Sequence, residues 1–256
     1  MRPAARPLKR LPAAPFAAFS APVSGGGWSA PPSWVLVDAN LDLDFQNDRA
    51  FSNGEVTTAT SLLSLTRTTV GQAQKLDGTW QSFASGVLRR TDKGLLVEEA
   101  RTNNLLWARD MTNVAWTKSN MTNALTATGI DGTANSATTL TATAGNATVL
   151  QAITLGSTAV AGSFWLQRIS GTGNVDITVD NGATWTTQTL TAAWKLFQCT
   201  QTLANPTVGI RIVTSGDSIA ADFGQLESGA LATSPILTTT VAVVRNADAV
   251  FTAIPG

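Results

Sequence analysis

The sequence predicts an all-β protein, a jelly-roll-like antiparallel β-sandwich preceded by an extended N-terminal arm and a small β collar. Short segments with strand-forming residues recur at spacings of about ten residues, and turn signals separate them. Thr, Ala, Ser, Gly and Asn dominate the composition, which suits strands and turns better than helices. No apolar run approaches the roughly 18 residues of a membrane helix, so membrane insertion is not expected.

The composition excludes several classes of function. The chain has 256 residues, enough for one large all-β domain with extensions. Its 17 basic and 17 acidic residues balance, whereas a nucleic-acid-binding protein usually has a basic excess, so no nucleic-acid partner is expected. The absence of histidine excludes Ser-His-Asp and Cys-His catalysis and most zinc sites. The one cysteine, Cys199, has no partner for an intrachain disulfide and is predicted to be a buried strand thiol.

Residues 1–33 are predicted to form an extended anchoring arm. Prolines recur through this segment and forbid a regular helix or central strand, and Gly25–Gly27 provides a flexible joint. Basic and aromatic side chains are the expected anchors, because aromatic residues dominate interface energetics: Arg2, Arg6, Arg10, Phe16, Phe19 and Trp28. A loose tail is one alternative. A secretory signal is another, although the prolines interrupt the apolar region that a signal needs.

Residues 34–100 are predicted to form the collar from short strands. Val35–Val37, Leu41–Phe45 and residues 62–70 are the strand candidates. In Leu41–Phe45 apolar residues alternate with aspartates, which predicts one apolar and one acidic face. Thr91–Gly94 lies between two apolar runs and predicts a hairpin turn.

The segment Gly94–Asn120 connects the collar to the sandwich. A short apolar run leads into Glu98 and Glu99, and one of these carboxylates is expected to pair with Arg101 and fix a polar elbow. Asp110–Ala115 is predicted to form a helical turn, because the aspartate that opens it suits an N-cap.

Residues 101–235 are predicted to form the sandwich. The strand candidates are Ala124–Thr128, Ser136–Thr141, Thr148–Leu155, Val160–Ile169, Val175–Val179, Thr184–Leu190, Lys195–Leu203, Thr207–Val213 and Ser218–Leu226. Asn181–Gly182 is the clearest hairpin turn between them. Residues 236–256 are expected to return along the body and pair with the collar, with Arg245 and Asp248 as turn charges.

Several of these segments carry a family resemblance. Gly94–Asn120, the run Gly224–Gly229, then Ala232–Pro235 and Val244–Asp248 occur in the order found in a sandwich module common in virion proteins of tailed phages and gene transfer agents. Leu41–Phe45 adds an earlier match, so the resemblance extends over residues 41–253. The doubled asparagine at 103–104 departs from the family pattern, as does the missing aromatic residue after Ser234.

The resemblance implies a virion structural protein on the particle surface, as a head fibre, spike or capsid decoration subunit. In this interpretation the arm anchors the subunit to capsid or other virion proteins, and the sandwich faces outward, where it could meet host surface carbohydrate. A homo-oligomer is expected, because virion appendages are symmetric assemblies. Two alternatives stay open: a purely structural decoration or cement protein without glycan binding, and a tail-fibre or baseplate component.

Two tryptophans are candidate sugar platforms, because sugars combine apolar C–H faces with polar edges. Trp185 follows the Asn181–Gly182 turn, near Asp180 and Gln188. The second candidate pair is Trp165 with Gln167, while Trp194 heads an apolar strand and is predicted to lie in the core. The alternative is that Trp185 and Trp165 belong to the core or to a subunit interface.

Catalysis and metal binding are less favoured. Glycoside hydrolysis generally needs two carboxylates that flank the bond, and adjacent Glu98 and Glu99 in a strand would point to opposite faces. The protein is therefore not expected to be an enzyme or to carry a cofactor. Calcium could use oxygen ligands from four aspartates, but their spacing matches no known loop, so no metal site is expected: Asp38, Asp42, Asp44 and Asp48.

Overall fold

A computed structural model describes residues 41–52 and 54–252. The predicted anchoring arm, the strand candidate Val35–Val37 and Asp38 lie outside the described residues. Within them the chain is all-β and contains no helix, so no helix there could cross a membrane. The predicted fold class is confirmed: antiparallel sheets stack into a jelly-roll-like sandwich.

The described strands are short and follow one another closely. In chain order they are β1 (Leu41–Asp44), β2 (Arg49–Ser52), β3 (Glu55–Thr57), β4 (Leu63–Thr66), β5 (Gly71–Gln74), β6 (Trp80–Phe83), β7 (Arg89–Thr91), β8 (Gly94–Leu96), β9 (Arg101–Asn103), β10 (Thr117–Ser119), β11 (Met121–Ala127), β12 (Ala137–Ala142), β13 (Ala147–Ala152), β14 (Thr158–Ser170), β15 (Val175–Thr178), β16 (Thr186–Gln188), β17 (Lys195–Leu203), β18 (Thr207–Ile212), β19 (Ser218–Ser228), β20 (Val243–Arg245) and β21 (Ala249–Thr252). Each of the predicted sandwich strands is present, and β17 has the predicted bounds.

Two five-stranded sheets form the sandwich. Sheet I has the strand order β10-β13-β18-β15-β16, and sheet II has the order β11-β12-β19-β14-β17. Apart from the consecutive pairs β11–β12 and β15–β16, neighbours in these sheets are not consecutive in the chain; β14, for example, pairs with both β17 and β19. The order therefore brings side chains from distant segments into rows across each sheet.

The core lies between the two sheets and follows from the alternation of apolar residues along the strands. Val208, Ile210 and Ile212 on β18 face Phe164 and Leu166 on β14, and none of these five side chains is exposed. Burying each such side chain contributes about 1.5–3 kcal/mol. The core therefore determines which face of each sheet is the inner face and which is the outer face of the sandwich.

The collar consists of small antiparallel units built from β1–β3, β5–β6 and β7–β8. The predicted hairpin at Thr91–Gly94 is confirmed, since β7 pairs with β8 across it. The C-terminal segment returns to the collar as predicted, with Ala249 opposite Thr66 in the β21–β4 pair.

The predicted helical turn at Asp110–Ala115 is wrong. The Asp110 carboxylate does accept a backbone hydrogen bond, but from Thr112, two residues on, at 3.0 Å. The side-chain oxygen of Asn113 likewise accepts a hydrogen bond from the backbone N–H of Ala115, at 3.0 Å. Consecutive turns of this kind satisfy the backbone locally and compete with a helical turn.

The prediction that Arg245 and Asp248 are turn charges is also wrong, because both are buried, with 1% and 9% of their surface exposed. Arg245 donates to the Ser234 hydroxyl at 2.8 Å, and Asp248 accepts from Arg67 at 2.6 Å. Charged residues are almost never fully buried without partners. Because these partners are distant in sequence, no local sequence pattern indicates that the two charges are buried.

The elbow is fixed as predicted by one of the two glutamates. Glu99 pairs with Arg101, whereas Glu98 accepts hydrogen bonds from Arg89 and Ser234. Burial opposes ionisation of Glu98, but these hydrogen bonds and the charge of Arg245 outweigh it and lower the pKa of Glu98.

Candidate functional site

An open groove runs across the outer face of sheet II. Its floor is a row of residues from neighbouring strands, set by the strand register: Thr139 lies opposite Ala220, and Ala220 lies opposite Gln167. Leu166 pairs with Lys195 at the end of the β14–β17 ladder, and the adjoining residues Gln167 and Trp194 both line the groove. Small residues in the middle of the row leave space above it, and the groove has a volume of about 710 Å³.

One wall of the groove comes from the collar. The turn between β5 and β6 contributes Asp77, Gly78 and Thr79, and a loop of the sandwich contributes Ile130. The backbone N–H of Trp80 donates to the carbonyl of Ile130 at 3.1 Å and joins these two parts. The wall is thus built from segments that only the tertiary fold brings together.

A buried ion pair supports this wall from beneath. Asp222, with no exposed surface, accepts the Nε–H of Arg109 at 2.7 Å and the backbone N–H of Ile130 at 2.9 Å. Arg109 also donates to Asp131 at 2.8 Å and stacks over Phe223 at 4.5 Å. Burial raises the pKa of Asp222, although the hydrogen bonds from Arg109 oppose that rise.

The predicted pair Trp165 and Gln167 lies on the outer face of β14, but of the two only Gln167 lines the groove. Trp165 is only 9% exposed and packs edge-to-face on Trp80, with ring centroids 5.5 Å apart and planes at 71°. Its ring is therefore packed against the collar residue Trp80 and does not line the groove. Gln167 lines the groove, and its amide donates to the carbonyl of Ala192 at 2.5 Å.

Trp194 was missed as a site residue. The sequence places it in the core, but its indole is only partly buried and lines the groove next to Gln167. The local signal, an apolar strand, is the same for a core tryptophan and for one at the edge of a groove. Trp194 lies immediately before β17, which is an edge strand of sheet II. This position, rather than the local sequence, places the tryptophan at the groove.

The groove combines an aromatic surface with hydrogen-bonding groups. Trp194 supplies an apolar face, Gln167 an amide, and Thr126 and Thr139 hydroxyls. Hydrogen bonds from the hydroxyl and N–H of Thr79, at 2.6 and 2.8 Å, lower the pKa of Asp77 and hold this exposed carboxylate ionised. An apolar platform beside donors and acceptors fits the amphipathic surface of a sugar ring.

The other predicted platform, Trp185, lies at the edge of sheet I, on the opposite side of the sandwich. The guanidinium of Arg211 lies 4.5 Å from its ring centroid, and Arg211 in turn pairs with buried Asp176 at 2.6 Å. Asp180 accepts hydrogen bonds within its own hairpin, including one from Thr178 at 2.7 Å. Trp185 therefore has one polar neighbour stacked on its ring, and its role in sugar binding stays a prediction.

Gln188, predicted to assist Trp185, also bonds within the hairpin. Its amide donates to the carbonyl of Thr186 at 2.9 Å. The five residues of the two predicted sites are thus divided between sheet I and sheet II, and Gln167 is the one of them that lines the groove.

Two of the aspartates considered as calcium ligands, Asp44 and Asp48, have protein partners. Asp44 pairs with Arg49, and Asp48 accepts from the N–H and hydroxyl of Thr60 at 3.0 Å each. Hydrogen bonds from Arg49 and from Asn47 lower the pKa of Asp44 to about 2. Across residues 41–52 and 54–252, no group of three or more His, Cys, Asp or Glu residues is arranged to hold a metal ion.

Comparisons with known proteins give only remote likenesses. No family model matches the sequence, and no curated protein matches it. The CBM22-1 xylan-binding domain of Paenibacillus barcinonensis Xyn10C is similar in structure, with 13% identity over 51% of this chain and 94% of that domain and a TM-score of 0.39. A CBM29-2 module complexed with cellulohexaose has 13% identity, coverages of 52% and 92% and a TM-score of 0.38. The enzymatically active domain of bacteriophage CBA120 tailspike protein 4 has 14% identity, coverages of 48% and 21% and a TM-score of 0.36. Likenesses this remote do not assign a ligand or an assembly to this chain.

Proposed function

We propose that this chain is a non-catalytic polysaccharide-binding protein and that the groove on sheet II holds the glycan. The observation that carries the proposal is that Trp194 and Gln167 both line the groove, from chain segments that adjoin the antiparallel β14–β17 pair. A sugar can place its C–H face on the indole while its hydroxyls bond to the amide. A groove of about 710 Å³ has room for several sugar units.

Display on the surface of a tailed-phage or gene-transfer-agent particle is the second part of the proposal. The sequence resemblance of residues 41–253 supports it, and host surface polysaccharide is then the expected glycan. Residues 1–33 would contact capsid or other virion proteins, and the subunit would assemble with copies of itself. The protein would bind the glycan without cleaving it, since Glu98 and Glu99 pair with arginines of the collar and elbow.

Binding of the full-length protein to a panel of bacterial surface polysaccharides tests the first part, with affinity electrophoresis as the measurement. Trp194→Ala is expected to weaken binding at least about tenfold, because it removes the sugar platform. Trp185→Ala is the matched control, since both indoles are partly buried and lie on opposite sheets. Loss of binding in Trp185→Ala alone would move the site to sheet I.

A structural decoration or cement protein is the second candidate, and exposed apolar side chains favour it. Val70, Leu237 and Val244 are 57%, 50% and 45% exposed and line a depression of about 390 Å³. Apolar surface of this kind is typical of protein contacts. A folded protein that binds no polysaccharide in the panel, but whose assembly state changes in Leu237→Asp, would place this candidate first.

A further inference from the structure

A second, smaller cavity lies in the collar, between the β5–β6 and β7–β8 hairpins. Its volume is about 250 Å³. The indole of Trp80 and the side chains of Leu95 and Leu96 line it, and Lys93 lies at its rim. Pockets for drug-sized ligands measure about 300–1,000 Å³, so this cavity fits a group the size of one sugar unit.

Lys93 is the one charged residue among the described residues that line the cavity. Its exposed ammonium donates to the Gln74 side-chain carbonyl at 2.8 Å and forms no ion pair with a carboxylate of the described chain. An ammonium has three donors, so it retains capacity to bind an anion. The cavity thus combines apolar walls with a single uncompensated positive charge.

Gln74 connects this cavity to the groove. Its side chain lines both, and its amide nitrogen donates to the carbonyl of Gly78 at 2.9 Å, while its oxygen accepts from Lys93. Gly78 belongs to the turn that forms the groove wall. A glycan lying in the groove would therefore pass close to the cavity at this turn.

We propose that the collar cavity is a subsite for an acidic sugar unit, a uronic acid, of the polysaccharide that the groove binds. The carboxylate of the uronic acid pairs with the Lys93 ammonium, and its ring packs against the Trp80 indole. The inference rests on the proposed function and adds a substrate class to it. A charge-assisted hydrogen bond is about twice as strong as a neutral one, so the carboxylate gives the site its selectivity.

The test measures binding of the full-length protein to polygalacturonate, alginate and hyaluronan, each paired with its carboxyl-reduced form. At least one native polymer is expected to bind about tenfold more tightly than its reduced form, with a preference that declines with salt. Lys93→Met is expected to remove this preference. Lys75→Met is the matched control, because Lys75 is an exposed lysine near the same hairpin that does not line the cavity.

The outcomes separate the subsite from the groove. Equal binding of native and reduced polymers, or a preference that survives in Lys93→Met, overturns the subsite. If reduced polymers bind as tightly as native ones and Trp194→Ala abolishes binding of both, the groove stands without the subsite. If the preference depends on Lys93 but binding is unaffected by Trp194→Ala, the subsite stands and the groove assignment fails. Absence of binding to all of these polymers overturns the inference.

Discussion

Arg67 donates a 2.6 Å hydrogen bond to the carboxylate of Asp248, although 181 residues separate the two. Neither side chain is exposed by more than 1%. Asp248 also accepts from Arg89, whose guanidinium reaches Glu98 at 2.5 Å. This network joins the collar, the elbow and the C-terminal segment. It holds in place the hairpins from which the groove wall and the collar cavity are built.

Asp248→Asn is expected to destabilise the protein by about 3–5 kcal/mol, because it leaves two buried guanidinium groups without their shared carboxylate. Chemical denaturation with the full-length protein measures the loss. Asp77→Asn is the control, since that side chain is 61% exposed and its replacement is expected to leave the free energy of unfolding nearly unchanged. Equal effects of the two substitutions would contradict the structural role of the network.

The stability difference between wild type and Asp248→Asn is expected to narrow in acid. Burial opposes ionisation of this carboxyl, but hydrogen bonds from Arg67 and Arg89 outweigh it and lower the pKa of Asp248 below its ordinary value of 3.8. A lowered carboxyl pKa contributes stability above pH 3.8 that is lost as pH falls through the folded-state pKa. Denaturation curves of both proteins over a pH series measure the difference in their free energies of unfolding. A difference that widens as pH falls would show that the sign is wrong.

Trp165→Ala is expected to cost about 3–5 kcal/mol of stability, because its buried ring packs edge-to-face on Trp80. Trp194→Ala removes a half-buried ring and is expected to cost less stability while it reduces glycan binding. Thermal unfolding and affinity electrophoresis, run on both variants, separate the two roles. Similar stability losses would mean that Trp194 also acts mainly in the core.

Gly129→Ala is expected to destabilise the groove wall by about 1–3 kcal/mol. A Cβ at this position would lie 2.7 Å from the buried Asp222 carboxylate and closer still to the Arg109 guanidinium, so the ion pair must move. Gly156→Ala is the matched control, because a Cβ there meets no atom within 4 Å. Urea denaturation of both variants provides the comparison, and a neutral Gly129→Ala would show that the ion pair tolerates displacement.

Cys199 is expected to react slowly with iodoacetamide in the folded protein. Burial, assisted by the charge of Asp180, raises the pKa of this thiol from 9.0 to about 12, and the thiolate is the reactive form. A raised thiol pKa contributes stability that is complete below pH 9.0 and is lost as pH rises through about 12. Alkylation followed by mass spectrometry, at mildly alkaline pH with and without urea, should show a rate about a thousandfold lower in the folded state. Equal rates would contradict the burial.

The strands of the sandwich were predictable because their signals are local. Alternating apolar residues and turn sequences such as Asn181–Gly182 are contained within a few neighbouring positions, and burial of one face follows from them. The helical turn at Asp110–Ala115 failed for a similarly local reason: an aspartate that caps a helix also closes a tight turn, and sequence alone does not distinguish the two.

The candidate site was predictable only in part. Gln167 was found because it lies on a long strand with clear alternation. Trp194 was missed because an apolar strand looks the same in the core and beside a groove, and the order of strands in sheet II decides its position. The cavity that Lys93 and Trp80 line depends on two collar hairpins that pack together, and no pattern within either hairpin indicates this contact.

The sequence by itself determined the all-β class and the strand segments, since both depend on short-range alternation and turn chemistry. Tertiary structure alone decided which tryptophans are exposed and which charges are buried. Pairing across 181 residues, as between Arg67 and Asp248, becomes favourable only when the whole fold removes both groups from water and supplies each with a partner.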